Sequence, residues 1–152
     1  MRLTTKGRYA VTAMLDIALH HQCGPVSVAD VAERQAISSA YLEQLFSKLK
    51  RAGLLRSMRG PGGGYELAKP QEQISISQII GAVGEGVDAT RCQGTADCHD
   101  GAMCLTHELW TALSDRIDDF LSGITLETLV AQHEGQQPSS RADGNLIAAR
   151  IL

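Results

Sequence analysis

Residues 38–67 read SSAYLEQLFSKLKRAGLLRSMRGPGGGYEL, and the fold class turns on this stretch. Leu42, Leu45, Phe46 and Leu49 recur at the spacing of one helix face, with polar and charged side chains between them. A serine at 38 or 39 supplies an N-cap hydroxyl, and Gly53 stands where a left-handed residue commonly ends a helix. The spacing predicts a helix from Ser39 to about Ala52. Beyond it, Leu54–Met58 and Tyr65–Leu67 are short strand segments around Arg59-Gly60-Pro61-Gly62-Gly63-Gly64, the pattern of a β-hairpin with a glycine-rich tip.

Toward the N-terminus, Tyr9, Ala10, Ala13, Met14, Ile17 and Ala18 mark an amphipathic helix over 9–20, which Gly24-Pro25 stops. Ser27 caps a short second helix carrying Val28, Val31 and Ala32, and residues 35–38 turn the chain into the third. Two short helices joined by a tight turn and followed at once by a hairpin predict a winged helix-turn-helix. After Pro70, Ile76, Ile79, Ile80 and Val83 mark a fourth helix over about 75–83. Residues 84–104 lack periodicity. Trp110, Leu113, Ile117, Phe120 and Ile124 then alternate in steps of three and four, predicting an apolar seam on a helix of about 17–20 residues suited to a two-fold dimer interface. A short helix over 126–132 follows, and the polar residues 133–152 are predicted to be disordered. The predicted fold class is mainly α with a small β-hairpin wing: a winged helix-turn-helix over 1–83, a cysteine-bearing loop over 84–107, a dimerisation helix with its short successor over 105–132, and a tail.

The chain has 152 residues, 43% of them hydrophobic and 20% charged, enough to bury a core. Aromatics at 4% argue against an all-β fold, because strands favour them. The net charge of −3 conceals a split: residues 1–69 hold ten Lys/Arg against five Asp/Glu, and residues 92–152 hold three against nine. A basic front half suits a polyanionic partner. No apolar run approaches the roughly 18 residues of a membrane span. The opening Met1-Arg2-Leu3-Thr4-Thr5-Lys6-Gly7-Arg8 has no apolar core before a cleavage site, so a cytoplasmic protein with reduced thiols is expected.

Three constellations carry chemistry. On the third helix Ser39, Ala40, Tyr41, Glu43 and Gln44 are placed to meet base edges, where Gln pairs with adenine and Glu accepts from cytosine. Lys48, Lys50 and Arg51 suit phosphates, and Arg2 and Ser38 complete this DNA-facing set. The alternative is a plain solvated helix face. At the hairpin tip, Gly60 and Gly62 permit close approach to DNA and Arg59 suits a narrow minor groove; the alternative is a simple turn. The glycines lack the spacing of a nucleotide-binding loop. The third constellation is Cys92, Cys98, Cys104 and His107, with Cys104 and His107 three residues apart on one predicted helix face. Three thiolates and an imidazole suit zinc or an iron–sulfur cluster, with a regulatory dithiol as the alternative. His99 and Asp97 rank below these as ligands. Cys23 is predicted to be a small buried residue. No nucleophile–base pair or paired carboxylates argue for an enzyme; an iron–sulfur carrier would have no use for a basic winged helix.

The sequence resembles the IscR-type iron–sulfur cluster regulators, a family of winged-helix transcription factors. The resemblance spans Met1 to about Gln132 and is carried by residues 2–16, by Tyr41-Leu42-Glu43-Gln44-Leu45-Phe46, by Arg59–Tyr65, and most specifically by Val87-Asp88-Ala89-Thr90-Arg91-Cys92 continuing through Cys98 and Cys104 to Leu105-Thr106-His107. It implies a homodimer on a palindromic operator in double-stranded DNA, acting as repressor or activator of iron–sulfur assembly genes. It also implies one [2Fe–2S] cluster per subunit on Cys92, Cys98, Cys104 and His107, supplied by the iron–sulfur assembly machinery. Ala40 departs from relatives that carry serine there.

Overall fold

The computed structural model describes residues 3–136. Helix α1 (Thr5–His20) is the hub. It starts four residues earlier than its apolar pattern, because its first turn, Thr5–Arg8, is stabilised from elsewhere in the chain. Ala10, Ala13, Met14, Ile17 and Ala18 are buried along one stripe, and the small alanines let other helices approach closely. Helix α2 (Val28–Gln35) is capped by Ser27, whose hydroxyl accepts from the Asp30 N–H at 3.1 Å. Ala36 then takes a left-handed φ of 53°, and helix α3 (Ser39–Arg51) begins after Ser38, whose hydroxyl accepts from the Tyr41 N–H at 3.2 Å. Leu42, Leu45, Phe46 and Leu49 of α3 are buried.

Strands β1 (Leu55–Met58) and β2 (Gly64–Leu67) form the antiparallel hairpin, with Leu55 opposite Leu67 and Met58 opposite Gly64. The hairpin is anchored beneath. Val26 and Tyr65 exchange backbone bonds of 2.8 and 2.7 Å, and the Tyr65 ring meets Phe46 edge-on with centroids 5.0 Å apart. A Cβ at Gly64 would overlap the Val26 carbonyl, so only glycine allows this approach. Helix α4 (Ile76–Ala82) opens with a reciprocal Ser75–Gln78 capping box and buries Ile76, Ile79 and Ile80. These elements bear out the winged-helix reading.

The C-terminal part divides differently from its periodicity. Helix α5 (His107–Ser122) has no fully buried residue, whereas α6 (Leu126–Gln136) returns to the core against α1. The return is fixed by two backbone bonds of 2.9 Å, Ile76 N–H to the Ile124 carbonyl and Leu126 N–H to the Ile74 carbonyl. Ile124 therefore lies beyond α5, 5% exposed in the core, and does not continue the seam expected there. Helix α6 runs to Gln136, four residues past its expected end. Most of the tail expected to be disordered, residues 137–152, lies outside the described residues. Cys23 is exposed at the end of a 3₁₀ turn (His21–Cys23), contrary to the expected burial, because the chain there leaves the α1 stripe.

One charge is enclosed in this core. Asp16 is 1% exposed on α1; the Arg34 Nε and a terminal guanidinium nitrogen donate to its two oxygens at 3.0 and 2.6 Å, and Gln35 Nε2 donates at 2.7 Å. Burial pushes the Asp16 carboxyl up, but the Arg34 and Gln35 hydrogen bonds and the Arg34 charge outweigh it and hold the group below its ordinary value. Arg34→Ala is expected to destabilise the protein by about 3 kcal/mol in denaturant titrations, since it leaves a buried carboxylate unpaired. A carboxyl whose pKa is lower folded than unfolded contributes stability above its unfolded pKa, and that contribution fades as pH falls through the folded value. Wild type should therefore lose stability more steeply below about pH 4 than Asp16→Asn does.

Candidate functional site

The exposed face of α3 presents Ser39, Glu43, Gln44 and Lys48, and Arg59, Gly60 and Gly62 sit exposed at the tip of the hairpin beside it. A Cβ at Gly60 or Gly62 would meet nothing within 4 Å, so this tip is sterically open. Two predicted members of the DNA-facing set have structural duties as well. Ser38 caps α3, and the half-buried Tyr41 ring meets Tyr9 edge-on with centroids 5.8 Å apart. Lys50 donates to the Ser57 hydroxyl at 2.7 Å and so braces α3 against the wing. Arg2 lies outside the described residues.

The sulfur-rich constellation converges on one histidine. His107, the first residue of α5, has Nδ1 3.5 Å from Cys92 Sγ and 3.7 Å from Cys98 Sγ. Cys92, Cys98 and His107 bring ligand atoms within 4.8 Å of one another, all half-buried. The other ring nitrogen, Nε2, lies 3.4 Å from the Thr111 hydroxyl one turn along. Cys104 joins through Cys98: its N–H donates to Cys98 Sγ at 3.0 Å, while its own Sγ lies 3.9 Å from the Thr106 hydroxyl. It precedes the Thr106 cap, outside α5, so loop geometry and not a shared helix face places it near His107. His99 is exposed, and the Asp97 carboxylate is engaged by the Thr95 hydroxyl; neither joins the group.

The loop shifts these thiols in opposite directions. Burial pushes the Cys92 thiol up, but the Ala96 and Gly94 N–H groups, the Thr90 hydroxyl and Cys98 outweigh it and bring Cys92 down to about 7. Cys104 pushes Cys98 up, and Cys98 in turn holds Cys104 down. A soft thiolate set with one imidazole, in a half-buried loop, fits an iron–sulfur group or zinc by donor chemistry. Two contacts tie the loop to its surroundings. The Ala89 N–H donates to the Ser114 hydroxyl on α5 at 2.8 Å. Glu85, just after α4, lays its carboxylate over the start of α1, accepting from the Gly7 N–H at 2.9 Å and from the Thr4 hydroxyl. Thr4 itself makes no side-chain cap, so an acidic residue 81 positions away performs that role. Nothing local in the sequence signals this pairing.

A family model described as "Rrf2: Iron-dependent Transcriptional regulator" matches residues 3–132. The chain belongs to the Rrf2 family. This Rrf2 protein is 59% identical over 146 residues to the HTH-type transcriptional regulator IscR of Pectobacterium carotovorum, covering 96% of this chain and 89% of that one. Among solved structures it is similar to T. potens IscR, with 36% identity and a TM-score of 0.76 over 92% of this chain and 94% of that chain. It is also similar to CymR, the global cysteine regulator of B. subtilis, at 32% identity and a TM-score of 0.76, over 87% and 98% of the two chains. This Rrf2 protein is a winged-helix, DNA-binding transcriptional regulator and not an enzyme. No helix among its described residues is long and apolar enough to cross a membrane.

The Glu85 contact makes a mutational prediction. Glu85→Ala should cost about 1 kcal/mol in equilibrium unfolding, the usual effect of losing a helix cap. A Cβ at Gly7 would overlap Glu85 Oε2 and displace that carboxylate, so Gly7→Ala should leave wild type without net gain in stability. In the Glu85→Ala background that same change should instead stabilise, by up to about 1 kcal/mol, as alanine outranks glycine in a helix. Additive losses in the double variant would refute the clasp.

Proposed function

We propose that this protein is a homodimeric regulator that senses iron–sulfur status through one [2Fe–2S] cluster per subunit and controls iron–sulfur assembly genes from the cytoplasm. The observation that carries the reading is the convergence of Cys92 and Cys98 on His107 Nδ1, with the Cys104 N–H donating to Cys98 Sγ. Cys92, Cys98, Cys104 and His107 would hold the cluster, which supplies a one-electron redox couple and a signal that is lost when the cluster is lost. The chain's own part is to orient His107, with Thr111 at Nε2 leaving Nδ1 toward the sulfurs, and to lower the Cys92 thiol so that ligation does not wait on a basic pH. The cluster itself would arrive from the iron–sulfur assembly machinery. Zinc fits the same donors but would leave the protein colourless.

Recognition is assigned to α3 and the wing. Ser38, Ser39, Tyr41, Glu43 and Gln44 face base edges or the flanking backbone, Lys48 faces phosphates, and Arg59, Gly60 and Gly62 enter the neighbouring groove; Arg2 completes the DNA-binding set. Glu43 discriminates by exclusion, because an unmatched carboxylate near phosphates is repelled. The operator is then a palindrome, read by two α3 helices related by the dimer axis. Leu109, Trp110 and Leu113 support a dimer through α5: they are 58%, 39% and 36% exposed in a single chain, with Leu105 fully exposed beside them. Ile117 and Phe120, half-buried, flank that surface toward the core.

Anaerobically purified wild type should be coloured, with iron and sulfide in equal amounts at two of each per subunit, the composition of a [2Fe–2S] centre. Cys98→Ala should be colourless and free of both. Stoichiometric iron and sulfide in Cys98→Ala would overturn the ligand set, and stoichiometric zinc in the wild type would favour the zinc reading. The dimer has its own test: Leu113→Glu should shift sedimentation at micromolar protein from dimer to monomer. No shift would refute the α5 interface.

A further inference from the structure

Lys6 lies in the first turn of α1, where the helix dipole disfavours a cation. Its ammonium stands 3.7 Å from where a Cβ on Gly84 would lie. Gly84 also lines a cleft of about 450 Å³ whose opposite wall is the end of α3, with Lys48, Arg51 and Ala52. Cations from two helices thus meet at one rim. The Lys48 ammonium is held below the ordinary lysine value chiefly by the neighbouring Lys6 cation, with lesser effects of desolvation and Arg51. Among the described residues, neither lysine nor Arg51 forms an ion pair. Of the two acidic residues that line the adjoining cleft with Lys6, Glu85 is taken up by Thr4 and the Gly7 N–H, and Asp88 accepts from the Thr90 N–H and hydroxyl. Like charges brought together without a counter-charge are unfavourable in the free protein and become favourable once an anion lies between them. Lys48 follows Gln44 by one turn on the exposed face of α3, so the rim continues the surface assigned to DNA.

We propose that Lys6 and Lys48 form a single seat for one DNA backbone phosphate, with Arg51 at its edge. The seat brings α1 into the DNA interface beside α3 and the wing. It also places a DNA contact next to the Glu85 clasp, at the point where the cysteine-bearing loop begins. The proposal rests on the DNA-binding reading and adds a phosphate position to it.

The test is equilibrium binding of the full chain to a mixed-sequence DNA duplex over a salt series, for wild type, Lys6→Gln, Lys48→Gln, the double variant and Lys6→Arg. Each single Gln variant should weaken binding several-fold on every sequence. In the dimer, with one seat in each subunit, the double variant should flatten the slope of log K against log salt by about 1.8, the share of two phosphates, and no more. Lys6→Arg should keep the wild-type slope. Thermal unfolding of Lys6→Gln should be unchanged or raised, since a cation leaves the helix start and a like-charge contact disappears. An unchanged slope in the double variant would overturn the seat, and a loss of about twice 1.8 would replace it with two independent contacts in each subunit. Wild type that fails to bind the duplex at low salt would overturn the DNA-binding reading beneath it.

Discussion

Asp16 places a carboxylate among Ala13, Ile17 and their neighbours on the buried stripe of α1, and a charge there is tolerable only if it is met inside the protein. Arg34 and Gln35 meet it from the last turn of α2. That requirement sets where α2 stops against α1. The chain must then reverse at once, which it does through the left-handed Ala36, and Ile37 drops into the core before Ser38 caps α3. The direction in which α3 leaves, and so the face that Glu43 and Gln44 present, follows from a charge pair between α1 and α2.

The same hub helix is held at its other end by the Glu85 carboxylate, and this is where the DNA-binding unit and the cysteine loop share a contact. From Glu85 the chain passes to Ala89, bonded to Ser114 of α5, and then to His107 at the start of α5, beside Cys92 and Cys98. Helix α5 itself touches the core lightly: Asp118 accepts from the Ser77 hydroxyl of α4 at 2.7 Å, and Phe120 and Leu121 pack inward. The loop is thus tethered to α1 on one side and to an outward-facing apolar helix on the other. A change at the thiols has two short physical routes outward, one toward the recognition unit and one toward the α5 surface.

Charge is partitioned along the same division. The basic residues of the front half collect on α3, the wing tip and the start of α1, while α5 carries Asp115, Asp118 and Asp119. Basic residues gathered on these elements attract a polyanion to them, and the acidic α5 repels it.

Local interactions were legible in the residues alone. The 3.6-residue apolar period of α1 and α3, the serine caps at 27 and 38 and the glycine-rich hairpin each depend on neighbours within a few positions, and each appears where the sequence puts it. The errors arise where local pattern and packing part. The three-four spacing ran on through Gly123 to Ile124, but backbone bonding to Ile74 and Ile76 pulls that residue into the core. Periodicity identified α5 as amphipathic, yet only the tertiary structure shows that Leu109, Trp110 and Leu113 face outward with nothing among the described residues to cover them. Cys104 reaches the thiol group from a loop and not from a helix. The Asp16 pair, the Glu85 clasp and the meeting of Lys6 with Lys48 join residues 18, 81 and 42 positions apart. No sequence period encodes such separations. They exist because helices packed on a common core bring their ends together, and that geometry is decided only when the whole chain has folded.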